Sequence, residues 1–292
     1  MSAPRRLKER FALLADEGRG GLVTFLTAGD PDRATSLAIV RGLAASGADV
    51  IELGMPFSDP MADGPAIQAS SGRALAAGAT MAATLAIVRE FRGGDSRTPV
   101  VLMGYANPLY AFGIDAFVAE ARDAGVDGVI VVDLPPEEAD ALVHAARTVG
   151  LDVIFLVAPT TGEDRMARVL ENAGGFVYCV SITGITGTKR ASTDEVAAAV
   201  ARVRRHTSLP VAVGFGIKTP AQAAAIAGVA DAAVVGSAIV ERIADHLDAQ
   251  GRPGDDLVPA VLGFVGELAA AVRAAARSPF GATAARKRSA SP

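Results

Sequence analysis

The sequence predicts an α/β fold: a single (β/α)8 TIM barrel with an extra N-terminal helix and additional short helices. Three observations lead there. Eight short β-branched runs recur along the 292 residues. Those runs are continuously apolar rather than alternating, as strands of a parallel sheet covered on its outer face should be. Ala-rich, helix-favouring segments lie between them. Eight alternations point to a closed barrel, and an open doubly wound sheet is the alternative the pattern leaves.

The elements follow in order. The charged segment Pro4–Glu17 reads as a helix packed ahead of the first strand. The eight runs are "GLVTFLTAG" (21–29), "DVIELGM" (49–55), "PVVLMGY" (99–105), "GVIVVD" (128–133), "DVIFLVAP" (152–159), "FVYCVS" (176–181), "PVAVGFG" (210–216) and "DAAVVGS" (231–237). Helices are expected over Arg33–Ala45, Pro136–Arg147 and Thr193–Arg205, among others. Asp32, Pro136, Thr193, and Thr219 followed by Pro220 would serve as caps or first-turn residues. The weakly apolar stretch Thr219–Val240 is interrupted by Gln222, Gly228, Asp231 and Gly236, so it reads as a buried helix and a strand rather than a membrane span. Residues 247–256 form a turn before a last helix over Leu257–Ala276. The barrel domain covers 1–277, and the small, basic, polar tail 278–292 is expected to be disordered.

Composition narrows the function. Half the residues are hydrophobic, enough for a large core. The net charge is −4 with acids and bases intermixed, which argues against a nucleic-acid surface. The one cysteine, Cys179, rules out a disulfide within the chain and suits a reducing cytoplasm. The first twenty residues lack the apolar core of a signal peptide. Cytoplasmic localisation is the expectation.

In such barrels chemistry sits on the loops that follow the strands. Glu52 lies near the end of the second run. A carboxylate desolvated in a barrel mouth has a raised pKa and is suited to proton transfer near neutral pH. A structural acid, paired with an arginine or a backbone amide, is the other reading. The loop "PFSDPMADGPAIQ" then brings Asp59 and Asp63. Asp63 before Gly64 and Asp59 before Pro60 also suit turns, but Glu52 and Asp63 together make a candidate catalytic pair. Tyr105 and Asn107 follow the third run and Asp133 the fourth. Tyr178 lies in the sixth, as a site residue or a core aromatic. The seventh and eighth runs end in "GFGIKTP" and "GSAIV". Gly214, Gly216, Gly236 and Ser237 there would present backbone amides to a phosphate, although close helix–strand packing explains the same glycines. The segment 182–192, with Gly184, Gly187 and several threonines, suits a mobile lid.

Absent residues narrow the chemistry further. A Schiff-base aldolase needs a lysine inside the barrel, and Lys8, Lys189, Lys218 and Lys287 all fall outside the runs. His144, His206 and His246 lie on or just past helices, and no His/Cys cluster suggests a metal. There is no G-x-S-x-G elbow. Carboxylate acid–base chemistry without metal or covalent cofactor remains.

The motifs "FLTAGDP", "IELGMPFSDPMADGPAIQ", "LMGYANPLY", "SITGITGT", "GFGI" and "GSAIV", in this order, resemble the tryptophan synthase alpha subunit family over residues 7–275. The resemblance implies a lyase that cleaves indole-3-glycerol phosphate to indole and glyceraldehyde 3-phosphate. It implies a beta-subunit partner carrying pyridoxal phosphate in an αββα heterotetramer, with no cofactor in this chain. Carried over position by position, Glu52 is the general acid–base and Asp63 the second catalytic carboxylate. Phe25, Ile67, Met103 and Phe215 wall the indole pocket, and Tyr105 and Tyr178 also contact substrate. Thr186 orients Asp63. Gly187, Gly216, Gly236 and Ser237 hold the phosphate. Pro56, Asp59, Asn107 and Pro135 meet the partner. The chain departs from the family where Ser181–Ile182–Thr183 lacks an arginine some relatives carry, at Ala28, and in its tail. Three readings compete: a stand-alone lyase, a non-catalytic ligand-binding regulator of the beta subunit, and another phosphate-binding barrel such as an indole-glycerol-phosphate synthase or phosphoribosyl isomerase relative.

Overall fold

The computed structural model describes residues 5–180, 192–214 and 216–275. The strands are β1 (Gly21–Thr27), β2 (Val50–Gly54), β3 (Val100–Gly104), β4 (Gly128–Val131), β5 (Asp152–Val153), β6 (Leu156–Val157), β7 (Val177–Val180), β8 (Val211–Gly214) and β9 (Ala232–Val235). All their pairings are parallel, in the order β5-β4-β3-β2-β1-β9-β8-β7-β6.

The two ends of that order are chain neighbours, so the sheet closes into a barrel. The fifth run was expected to be one strand over 152–159. It is instead two short pieces, because its first half pairs with β4 and its second half with β7. That stagger belongs to the tilt of strands in a closed barrel. The residues between continue the ladder: the Ile154 N–H donates to the Val129 carbonyl at 2.9 Å, and the Tyr178 N–H to the Phe155 carbonyl at 3.1 Å. The eight predicted runs are therefore all present, with β8 and β9 as the seventh and eighth.

The helices are α1 (Arg6–Asp16), α2 (Arg33–Leu43), α3 (Pro65–Ala76), α4 (Met81–Arg92), α5 (Ala106–Phe112), α6 (Ile114–Ala124), α7 (Asp140–Val149), α8 (Glu163–Glu171), α9 (Thr193–Arg204), α10 (Pro220–Val229), α11 (Ser237–Asp245) and α12 (Leu257–Ala274). Asp32 caps α2 by accepting the Thr35 N–H at 2.9 Å, and Thr219 caps α10 by accepting the Gln222 N–H at 3.3 Å. Thr193 is the first helical residue of α9, as expected, and the cap before it is Ser192: Ser192 accepts the Glu195 N–H while the Glu195 carboxylate accepts the Ser192 N–H, a reciprocal capping box. One expectation needs correction. The helix expected from Pro136 begins at Asp140, after a separate turn over Pro136–Glu138. Two successive prolines without N–H groups support only that short turn.

The core has two layers. The outer one lies between strands and helices. It includes α12, which is long and apolar enough to cross a membrane. Here its stripe of Leu257, Val261, Val265, Leu268 and Val272 is buried, and the helix packs on α2, α10 and α11. The inner layer fills the barrel with Val23, Val50, Val101, Ile130, Ile154 and Phe176, and Leu7, Phe11 and Leu14 of α1 join it. Phe11 meets Phe176 at 5.6 Å between ring centres. Helix α1 therefore stoppers the amino-terminal end of the barrel.

That end also carries a repeated ionic device. Asp49, Asp127 and Asp231 immediately precede β2, β4 and β9. Each carboxylate accepts an N–H at the start of the adjacent strand: Leu22 at 2.9 Å, Val100 at 2.8 Å and Val211 at 2.8 Å. Each is also held by arginine. Arg19 binds Asp49 through two 2.9 Å hydrogen bonds, Arg6 and Arg92 bind Asp127 at 2.9 and 2.8 Å, and Arg204 binds Asp231 at 3.1 Å. Buried carboxylates are tolerated only when paired and hydrogen-bonded in this way.

Candidate active site

At the carboxyl ends of the strands lies a cavity of about 430 Å³. Nine of the predicted site residues line it: Phe25, Glu52, Asp63, Ile67, Met103, Tyr178, Gly216, Gly236 and Ser237. Tyr105 is not on the wall but stands behind Asp63. Thr186, Gly187 and Phe215, and the expected lid, lie outside the described residues. Sequence reasoning missed Gly64, Pro65, Ala66, Ile217, Lys218, Val234 and Glu241. Two of these carried a signal. Lys218 follows Gly216 by two residues, and Glu241 lies four residues after Ser237, on the same helical face.

Period two along β2 puts Val50 and Glu52 on the same face, and Val50 belongs to the barrel interior. Glu52 is level with Phe25 of β1 and Val101 of β3. It is 1% exposed. Its Oε2 has no hydrogen-bond partner. A structural acid would be paired, so the catalytic reading gains. Burial alone drives its pKa up from 4.5 to about 8.

Asp63 arrives on the loop after β2. Its carboxyl is raised from 3.8 to about 6 by burial, against a hydrogen bond from Tyr105 that favours the ionised form. The Tyr105 hydroxyl also accepts the Ala62 N–H at 3.0 Å, and its ring lies against Phe57 at 5.4 Å. Asp63 immediately precedes the α3 start at Gly64–Pro65, which has no side-chain cap. The positive end of that helix also favours the carboxylate. Replacing Tyr105 with phenylalanine is therefore expected to raise the Asp63 pKa and move the acid limb of kcat/KM up by roughly half to one pH unit. An unmoved limb in the pH profile would show that Tyr105 does not act through Asp63.

Tyr178 is buried beside both acids. Its phenol is pushed well above its ordinary value by burial and by the charges of Glu52 and Asp63. Gly214 makes room for it, since a Cβ there would meet the Tyr178 hydroxyl at 2.3 Å. Gly214 thus serves packing, the reading the sequence left open beside a phosphate role.

One strand beyond β1 from Glu52, the cavity wall includes the start of α11, which follows β9. Gly236 stands at its N-cap without a side-chain cap, and the Ile239 N–H donates to the Gly236 carbonyl, so the N–H groups of Ser237 and Ala238 are the ones available to an anion. Gly216 has φ +80°, a conformation that requires glycine. The site thus combines two carboxyls raised to different degrees, an apolar wall and an uncapped helix start, all within one cavity.

Known proteins give the same picture. The family model for the tryptophan synthase alpha chain matches residues 11–262. A tryptophan synthase alpha chain from Acidiphilium cryptum is 55% identical over 273 residues, covering 94% of this chain and 99% of that relative. The crystal structure of the alpha subunit from Legionella pneumophila superposes with a TM-score of 0.85 at 38% identity, covering 92% of this chain and 99% of that one. A structure of tryptophan synthase from M. tuberculosis in an open form superposes with a TM-score of 0.80 at 37% identity, covering 92% and 99%. This barrel, matched along nearly its whole length by these proteins, belongs to the tryptophan synthase alpha chain family, the lyase subunit of that enzyme.

Proposed function

We propose that Glu52 and Asp63 carry the alpha reaction of tryptophan biosynthesis in this chain, the cleavage of indole-3-glycerol phosphate to indole and glyceraldehyde 3-phosphate. The single observation behind this reading is that two carboxyls share one cavity and are tuned apart, Glu52 to about 8 and Asp63 to about 6. Between those values Glu52 holds its proton and Asp63 does not. Carboxyls separated in this way take different roles.

The reaction is an isomer-balanced fragmentation and needs no co-reactant. The Glu52 carboxyl protonates the indole ring at C3, leaving a cation at the ring nitrogen that the Asp63 carboxylate stabilises. Glu52, now ionised, removes the proton from the side-chain hydroxyl next to the scissile bond. The hydroxyl becomes the aldehyde, the carbon–carbon bond electrons return to the ring, and indole leaves. Proton transfer contributes ~10²–10⁴-fold, and a preorganised charge partner a comparable factor. Phe25, Ile67 and Met103 supply the apolar wall for the ring. Gly216, Gly236 and Ser237 seat the phosphate.

The partner is a tryptophan synthase beta subunit, in an αββα assembly, with pyridoxal phosphate held by the beta subunit and none by this chain. Asp59 and Pro135 are exposed on loops and Asn107 is exposed in the first turn of α5, at the same end as the cavity, with Pro56 half-buried among them. Met61, 77% exposed, and Tyr110, 52% exposed, add apolar surface to that rim. A cytoplasmic location fits the single reduced cysteine.

The test is indole release from indole-3-glycerol phosphate, by the chain alone and with a beta subunit. We expect kcat/KM to rise with pH through about 6 as Asp63 ionises and to fall through about 8 as Glu52 loses its proton. Asp63→Asn should cost on the order of 10³-fold. Wild-type turnover in that variant would refute the assignment. A chain silent both alone and with the beta subunit would favour a regulatory role.

A further inference from the structure

We propose that Lys218 binds the substrate's phosphate and that Glu241 competes with the phosphate for it. The inference rests on the reading of this cavity as the indole-3-glycerol phosphate site.

Three acids line the cavity, Glu52, Asp63 and Glu241, and Lys218 is the one basic side chain among its described residues. A phosphate ester bringing one to two negative charges into such a wall needs a cation as well as backbone amides. Position singles out Lys218. It follows left-handed Gly216, and its own N–H donates to the Gln222 side-chain oxygen at 2.8 Å. Its backbone is thus fixed at the start of α10, while its four-carbon stem stays adjustable.

The Lys218 ammonium donates to both oxygens of Glu241, at 2.7 and 3.0 Å. Glu241 lies one turn beyond Ser237 on the same face of α11, so its carboxylate stands close to the anion seat. An unneutralised carboxylate there would repel a phosphate. Both side chains are well exposed, 44% and 42%, so their mutual attraction is screened and easily exchanged. A phosphate dianion, held also by the Ser237 and Ala238 N–H groups at the start of α11, is the stronger partner for the ammonium. Lys218 is therefore positioned to leave Glu241 for the phosphate. The alternative is a structural tie between the loop after β8 and helix α11.

Two variants separate these roles. Competition requires that removing the lysine weakens phosphate binding and that neutralising Glu241 strengthens it. A structural tie requires that both changes weaken it. Glycerol 3-phosphate binding to the full chain is measured by calorimetry, and KM for indole-3-glycerol phosphate by indole release. Lys218→Met should raise Kd and KM about tenfold with kcat within about twofold, and Lys218→Arg should restore most of the loss. Glu241→Gln should lower both constants about threefold, and raising the salt should erase that gain. Unchanged constants in Lys218→Met, or weakening in Glu241→Gln, would overturn the proposal. Because calorimetry requires no cleavage, a wild-type chain that binds glycerol 3-phosphate but releases no indole would count against the lyase reading and leave the role of Lys218 standing.

Discussion

Glu52→Gln is expected to abolish indole release, by at least about 10³-fold, and at the same time to stabilise the protein at alkaline pH. The first effect follows because glutamine carries no transferable proton. The second follows from burial. The folded chain holds the Glu52 proton up to about 8, whereas the unfolded chain releases it near 4.5. Proton binding therefore supports the fold fully below 4.5. That support is lost as pH rises toward 8, where the folded chain must carry an ionised group that the cavity solvates poorly. At about 1.4 kcal/mol for each tenfold, the disadvantage reaches a few kcal/mol. Glutamine keeps the shape without the charge. Its melting temperature should exceed that of the wild type by on the order of 5 °C at pH 8.5 and match it near pH 5. Thermal scans at the two pH values, with activity assays on the same samples, decide the point. A variant equally stable at both, or one retaining turnover, would show that Glu52 is not the buried acid described above.

Asp127→Ala is expected to act in the opposite way, on the fold rather than on the chemistry. Asp127 is 5% exposed and joins Arg6, Arg92 and the first N–H of β3. Removing it takes the counter-charge from two guanidinium groups, which keep only backbone carbonyl partners (Ser96 for Arg6; Asp95, Thr98 and Gly125 for Arg92), and leaves one strand-end N–H without its acceptor. Breaking a buried ion pair from one side costs about 3–5 kcal/mol, which for a chain of this size lowers Tm by on the order of 10 °C. Asp127 lies at the amino-terminal end of the barrel, remote from the cavity. At a temperature where the variant stays folded, kcat/KM should match the wild type within about twofold. Denaturant melts paired with activity at 20 °C test both halves. A stability loss under 1 kcal/mol would mean that the arginines find other partners.

The strand pattern was readable because period and composition act locally. Val23, Val50 and Val101 needed no knowledge of the fold to be assigned to strands, and Glu52 stood out as a single charge in an apolar run. The exception was the stretch 152–159, whose split depends on two different neighbours and so on the closed ring, which no local pattern encodes. The same limit applies to the site. Glu52 and Asp63 were found because they lie eleven residues apart on one strand and its loop. Lys218 and Glu241 are twenty-three residues apart on separate elements, and only the fold brings them together. Tyr105 was read as a substrate contact, and its reach to Asp63 depends on how the loop after β2 folds back over β3. Two of the aspartates at the strand starts, Asp49 and Asp127, did leave a trace, "GADV" and "GVDG", each a glycine two positions before an aspartate that precedes a strand, whereas Asp231 did not. The arginines that hold them come from distant segments and gave none.

Because α1 corks one end of the barrel, the cavity formed by the described residues is a cul-de-sac whose doorway lies at the other end. Substrate, product and any docked subunit must share that threshold. A protein that seats itself there has to offer a way onward for the released aromatic fragment, or it traps it.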